Sequence, residues 1–148
     1  TEPGVGDALR LSGVSPAALF LGKSMAVALQ LLVLELVLVV AIAILYRTPL
    51  SGWALGAATL LTATAGIAAL GTLLAALASS ARGRESLIPL LMLPVLAPVL
   101  IGATRATDAA LGTSDGREGW PWVALLGVFA LGYVTLGALA YRPLMEDS

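Results

Sequence analysis

The sequence predicts an all-α fold: a polytopic integral membrane helical bundle with about four transmembrane helices. Three observations lead there. Hydrophobic residues make up 59% of the 148-residue chain and charged residues only 11%, where a soluble domain carries about 25% charged residues. Four stretches reach the roughly 20 apolar residues that a helix needs to cross the hydrocarbon core. The connections between them are short, and polar or rich in glycine and proline. A water-soluble protein with four such helices in so short a chain has nothing left to cover them.

The spans are predicted at about 24–46, 53–78, 86–103 and 120–141. The first helix has a readable start. Ser15 is suited to cap it and Pro16 to occupy its first position, where a missing N–H costs nothing. It is expected to run to Tyr46, longer than the bilayer requires. Lys23 then lies near the interface, where its stem can snorkel to the headgroups. Arg47-Thr48-Pro49 ends it, because the residue before a proline resists helical geometry.

Glu35 lies near the centre of this span, within Leu34-Glu35-Leu36. A charge at that depth costs about 3 kcal/mol on insertion scales, and each Leu, Ile or Val returns about 0.3 to 0.6. Fourteen of those residues lie between Ser24 and Tyr46, so insertion still wins. An ionisable group inside a membrane is a functional candidate. The alternative is a carboxyl group that holds helices together through a polar contact, with Gln30 in the same network.

The second span is lined with small residues: Gly52, Gly56, Thr59, Thr62, Ala63, Gly66 and Ala69. The pairs Gly52/Gly56 and Thr62/Gly66 have the four-residue spacing that lets helix backbones approach closely. Gly127, Gly132 and Gly137 add to this in the fourth span. The third span carries Pro89, Pro94 and Pro98. An interior proline removes a backbone hydrogen bond and kinks the helix. The freed carbonyls need other partners in lipid, so this helix is expected to pack against neighbours. A hinge and a static bend both fit the three prolines.

The segment from about Gly102 to Gly119 reads as a solvated loop with mixed charge. Basic residues then set the orientation. Arg10, Lys23, Arg82, Arg84 and Arg142 fall on one side, and Arg47, Arg105 and Arg117 on the other. The Arg82-Gly83-Arg84 cluster sits in a short loop, where the positive-inside rule counts most. Both chain ends and this loop are placed in the cytoplasm. Trp53, Trp120 and Trp122 fit an aromatic belt at the opposite face.

Much chemistry is excluded. Net charge is −1, so no electrostatic footprint for nucleic acid exists. The chain has no cysteine and no histidine, which removes disulfides, thiol catalysis and the commonest metal and haem ligands. No catalytic residue and no metal ligand set is expected. Ala17 through Ser24 fits a relaxed phosphate-loop pattern. That loop needs a flexible glycine-rich backbone between a strand and a helix, and these residues are apolar helix formers. ATP is therefore expected on a partner. The opening residues lack a basic stretch followed by a short apolar one, so no signal peptide is expected.

The run Gly6-Asp7-Ala8-Leu9-Arg10-Leu11-Ser12-Gly13-Val14-Ser15-Pro16 through Lys23 resembles the haem exporter protein B (CcmB) family of cytochrome c maturation. Its Leu19-Phe20-Leu21-Gly22-Lys23 helix opening is similar to the family's. So are Glu35 in a leucine-rich span, Arg84-Glu85 followed by the proline-rich run Pro89 to Pro98, and Ala103-Thr104-Arg105-Ala106. Their order and spacing carry the resemblance across nearly the whole chain. Val14-Ser15-Pro16 and Thr113 to Gly119 depart from the family's pattern. The family normally has six membrane helices, two of them ahead of these four, so the chain is expected to be the carboxy-terminal part of a longer product.

The resemblance implies an export permease of the second ABC-transporter type, not an enzyme, in the bacterial cytoplasmic (inner) membrane. Residues 1–15 would be a cytoplasmic coupling segment and 16–148 the transmembrane permease domain. Asp7, Leu9, Arg10, Leu11 and Gly13 would dock on a cytoplasmic ABC ATPase subunit. Pro16, Gly22 and Lys23 open the helix behind them. The other implied partners are the haem-handling membrane proteins of the same system, which would carry any haem, so this chain needs no cofactor of its own. Three rivals stand beside it: a permease for lipid, polysaccharide or drug, a non-transporting scaffold for haem-handling proteins, and a membrane-embedded enzyme. The last would have Glu35 as its sole buried acid and no paired base.

Overall fold

A computed structural model describes residues 13–47, 52–80, 87–112 and 115–146. Among the described residues four α-helices follow one another: α1 (Pro16–Tyr46), α2 (Trp53–Ser80), α3 (Leu87–Ala110) and α4 (Gly116–Glu146). No strand occurs among them. Over their described residues, Pro16–Tyr46, Trp53–Ser79 and Gly116–Tyr141 are long and apolar enough to cross a membrane. The chain is thus a multi-pass membrane protein.

The helix ends follow from local chemistry. The Ser15 hydroxyl accepts a hydrogen bond from the Ala18 amide at 3.2 Å, and Pro16 takes the first helical position. At the other end Arg47 adopts a left-handed conformation, with φ 49°. Such a residue closes many helices, although glycine usually fills the role. Gly13, two residues before the Ser15 cap, has φ +70° and open space around it, a backbone that favours glycine.

α2 and α4 form the axis of the bundle. Each packs against all three other helices, while α1 and α3 flank the pair and do not touch among the described residues. The helices run up and down in turn. The start of α1 lies beside the end of α4, where Phe20 and Tyr141 stack at 5.6 Å. The start of α2 lies beside the end of α3 and the start of α4. There Gly52 meets the Ala110 backbone, and Leu55 and Ala109 crowd against Gly119.

Two buried clusters result. One contains Phe20, Ala63, Ala69, Leu70, Val99, Leu126, Tyr133 and Tyr141. The other, at the Gly52 end, contains Leu55, Ala106, Ala109, Ala110 and Val123.

α3 corrects the predicted loop. The helix continues to Ala110, so Thr104-Arg105-Ala106-Thr107-Asp108 is helical. The reason lies in its small residues. Ala106, Ala109 and Ala110 recur at helical spacing and are buried against Leu55 and Val123. Thr104 returns its hydroxyl to the Leu100 carbonyl at 2.8 Å, and Arg105 projects from the exposed side. Gly116 to Gly119 likewise belong to α4.

Only two of the three predicted kink prolines are interior. Pro94 and Pro98 lie inside α3, whereas Pro89 is its third residue. In the first turn an amide has no intrahelical acceptor, so Pro89 removes no helical bond. Pro94 and Pro98 leave the carbonyls of Leu90 and Pro94 without their helical donors. The Tyr133 hydroxyl donates to the neighbouring Val95 carbonyl at 2.8 Å. α4 thereby contributes a donor to the turn that Pro98 opens. Of the three tryptophans, Trp53 and Trp120 are exposed, and Trp122 packs on the second cluster.

Candidate functional site

Two polar features stand out among the apolar contacts of the bundle. The first is Glu35. Its carboxyl group, half-buried at the α1–α2 interface, accepts from the Thr64 hydroxyl, with distances of 2.8 Å to Oε1 and 2.7 Å to Oε2. A hydroxyl has one proton, so the two oxygens share a single donor. Thr64 is almost fully buried, 1% exposed.

The partners meet because they sit at one depth. Glu35 lies eleven residues before the end of α1, and Thr64 eleven residues after the start of α2. A hydroxyl reaching across helices satisfies a polar group that lipid cannot. Thr64 was not among the small and polar residues singled out from the sequence. Its mirrored distance from the α1–α2 turn was the signal available.

The other threonines of α2 are satisfied within their own helix. Thr59, Thr62 and Thr72 donate to the carbonyls of Leu55, Ala58 and Ala68 at 2.7–2.8 Å. Thr64 alone among them spends its proton on another helix. Gln30 does not join Glu35. It is exposed, on another face of α1, and makes no side-chain hydrogen bond among the described residues. Five residues of helix turn the chain by about 140°, which separates the two side chains.

The second feature is the anchored start of α1. The Phe20 ring is fully buried and lies over Gly137 of α4. Any side-chain carbon at Gly137 would collide with that ring. Phe20 also stacks at a tilt on Tyr141. One residue turn further, the Lys23 ammonium donates to the Tyr141 hydroxyl at 3.1 Å and lies 5.9 Å from the ring centre. Ser24, beside it, is buried with an unpartnered hydroxyl. Gly22 faces open space. Pro16 and Lys23 thus frame a helix start held to the end of α4 by one aromatic ring and one cation.

The rest of the predicted coupling set falls differently. Asp7, Leu9, Arg10 and Leu11 lie outside the described residues, as do Arg82 and Arg84. Gly13 is described as an exposed turn. The small residues of the second span divide by partner: Gly52, just ahead of α2, and Gly56 face Ala110, and Gly66 faces Ala130. In α4, Gly127 and Gly132 face nothing within 4 Å, in contrast to Gly137. The phosphate-loop-like run Ala17 to Ser24 is continuous helix, with no loop of amides to cradle an anion.

Among the described residues no three His, Cys, Asp or Glu side chains group as metal ligands. What the arrangement offers chemically is one hydrogen-bonded carboxyl group between α1 and α2. Comparison with curated proteins and with solved structures finds no match. The family model described as CcmB protein matches residues 1–146, nearly the whole chain, and on that match the chain belongs to the CcmB family, a permease component of the cytochrome c maturation ABC transporter.

Proposed function

We propose that this chain couples ATP hydrolysis on a separate cytoplasmic ATPase to haem delivery, or to release of the haem-loaded chaperone, in the bacterial inner membrane. The family match over residues 1–146 carries the reading. The geometry supports it at one point. The coupling segment 1–15 leads through the left-handed turn at Gly13 into a capped helix, and the start of that helix is held to α4 by Phe20 and Lys23. A push on the segment therefore moves α1 and α4 together rather than fraying α1.

On this reading Asp7, Leu9, Arg10, Leu11 and Gly13 meet the ATPase. ATP stays on that subunit, and the haem-handling membrane proteins hold the haem. A chain without histidine or cysteine lacks the commonest ligands for haem iron. All four helices cross the membrane, with the Lys23 end in the cytoplasm. Such a transition requires a bundle with two packings, and this reading assigns the change to the interior prolines of α3 and the glycine-lined contacts of α2.

The test is co-purification of the full-length protein from its native membrane in mild detergent. An ATPase subunit is expected in the complex, depleted by Arg10→Glu, together with haem-handling proteins. Absence of any ATPase, under conditions that keep other transporters intact, would overturn the reading and leave a scaffold.

A further inference from the structure

The contact between Glu35 and Thr64 is more symmetric than one hydrogen bond requires. Both carboxyl oxygens lie at hydrogen-bond distance from a single hydroxyl oxygen, Oε1 at 2.8 Å and Oε2 at 2.7 Å. That hydroxyl has one proton to give and lone pairs to receive with. Two arrangements of protons fit these atoms. In the first the carboxylate is ionised, and the Thr64 proton is aimed between its oxygens and straight at neither, although hydrogen bonds favour a near-linear donor. In the second the carboxyl group carries a proton of its own. One oxygen then donates to Thr64 Oγ1 while the other accepts from it, and two protons close a ring of two hydrogen bonds.

The surroundings decide between them. Glu35 lies eleven residues before Tyr46, about 16 Å along the helix, within a hydrocarbon core about 30 Å thick. Leu34 and Leu36 on either side of it are exposed, so hydrocarbon flanks the carboxyl group. An ionised carboxylate only accepts, at about four lone-pair sites, and Thr64 would be the one donor serving them.

No cation reaches it among the described residues. On α1 the nearest are Lys23 and Arg47, each twelve residues away, about 18 Å along the axis. The partner helix α2 has no titratable residue between Trp53 and Ser80. α4 also packs on α1, and α3 does not. On α4, Tyr141 is the partner of Lys23, with Arg142 and Glu146 beyond it at that end. Tyr133 donates to the Val95 carbonyl of α3, and Arg117 and Glu118 sit in the first turn of α4, at the far end from Lys23. A carboxylate so placed is an unpaired charge in an apolar medium, and such a group takes up a proton instead.

We infer that the α1–α2 interface is a proton-binding site. Glu35 holds the proton on one carboxyl oxygen, donates it to Thr64 Oγ1 and accepts the Thr64 proton at the other oxygen. The bound proton and the packed contact belong together. A shift of α1 that let water reach the carboxyl group would release the proton and leave a charge on the helix. The inference is independent of the ATPase reading.

The test is infrared difference spectroscopy of the full-length protein in lipid bilayers at neutral pH. Subtracting Glu35→Gln isolates one carboxyl group from the nine acidic residues of this chain. A carbonyl band of a carboxylic acid is expected in the wild type and is lost in Glu35→Gln. Thr64→Val takes away both bonds and should move the band to the higher frequency of a free acid, while Thr64→Ser should leave it in place. Glu35→Gln should still assemble, since a side-chain amide offers the same donor and acceptor to Thr64. Should it fail to assemble, the acid band of carbon-13 glutamate-labelled wild type and its response to Thr64→Val decide alone. A Glu35 band in the carboxylate region would overturn the inference. So would an acid band that Thr64→Val leaves unmoved.

Discussion

The first two helices are both apolar along their length, yet α1 skirts the bundle and α2 runs through it. Their sequences differ in size of side chain more than in polarity. α1 is built from Leu, Val and Ile, and only Phe20 and Ser24 are buried. α2 is built from Ala, Gly, Thr and Leu, and buries Leu55, Thr59, Ala63, Thr64, Ala68, Ala69, Leu70 and Thr72. In water the greasier helix would go inside. In a bilayer the lipid is as apolar as leucine, so hydropathy does not choose. Close approach of backbones does, and small side chains permit it.

That contrast can be tested directly. The largest effect is expected where α1 is anchored to α4. Phe20→Ala should cost about 3 kcal/mol, the cost of emptying a packed aromatic site, and should free α1 from α4. Leu36→Ala, 65% exposed on the same helix, should stay within about 0.5 kcal/mol. Denaturation of the purified protein in detergent, followed by helicity, reads both. If the two variants behave alike, α1 is not held as described.

A slightly smaller loss is expected from Gly52→Val, which drives a side chain into the Ala110 backbone. Overpacking of this kind costs about 2 kcal/mol. Gly71→Ala, inside α2 with nothing within 4 Å, should be neutral or slightly stabilising. A shared sensitivity at both positions would mean that α2 is intolerant as a whole rather than at its contacts.

Between the two helices, Thr64→Val removes the donor to Glu35. The expected loss is about 1 kcal/mol, in the range of interhelical hydrogen bonds in membranes. Glu35→Gln keeps an acceptor for Thr64, so it should preserve assembly better than Thr64→Val. If the carboxyl group has a role in coupling, Glu35→Gln will lower ATP-linked activity while the protein still assembles. Failure of that variant to insert or assemble would assign Glu35 a structural role.

The smallest effect belongs to the opposite flank. Tyr133→Phe deletes the hydroxyl that reaches the Val95 carbonyl and should cost about 0.6 kcal/mol. Hydrogen exchange around Pro98 should rise in that variant. Unchanged exchange there would show that the opened turn of α3 needs no donor from α4.

Element existence was legible because long apolar runs and a Ser-Pro cap act locally. The N-cap at Ser15, the end at Tyr46 and the start at Trp53 needed no knowledge of neighbours. The extent of α3 was not legible from polarity, since Thr104, Arg105 and Asp108 read as loop. What keeps them helical is Ala106, Ala109 and Ala110 packing on another helix, a non-local cause. Pairing has the same character. Glu35 announced itself as a polar residue in a span, but its partner depends on how α1 and α2 are rotated about their axes. Gln30 read from sequence as part of the Glu35 network, and only the observed rotation of α1 separates the two.

The contact between Lys23 and Tyr141 also works as a depth gauge. A lysine at this position keeps its ammonium near the headgroups, and that ammonium donates to the Tyr141 hydroxyl of α4 at 3.1 Å. Seven residues of α1, Pro16 to Gly22, precede it. At 1.5 Å per residue they form a stub about 10 Å long, which on the proposed reading stands proud of the hydrocarbon. With Phe20 as its fulcrum on Gly137, the stub is a lever arm. Its short length sets a limit: a displacement of a few ångströms at Ser15 becomes a tilt of α1, and the bilayer midplane, farther from the fulcrum than the tip is, moves by more than the push that caused it.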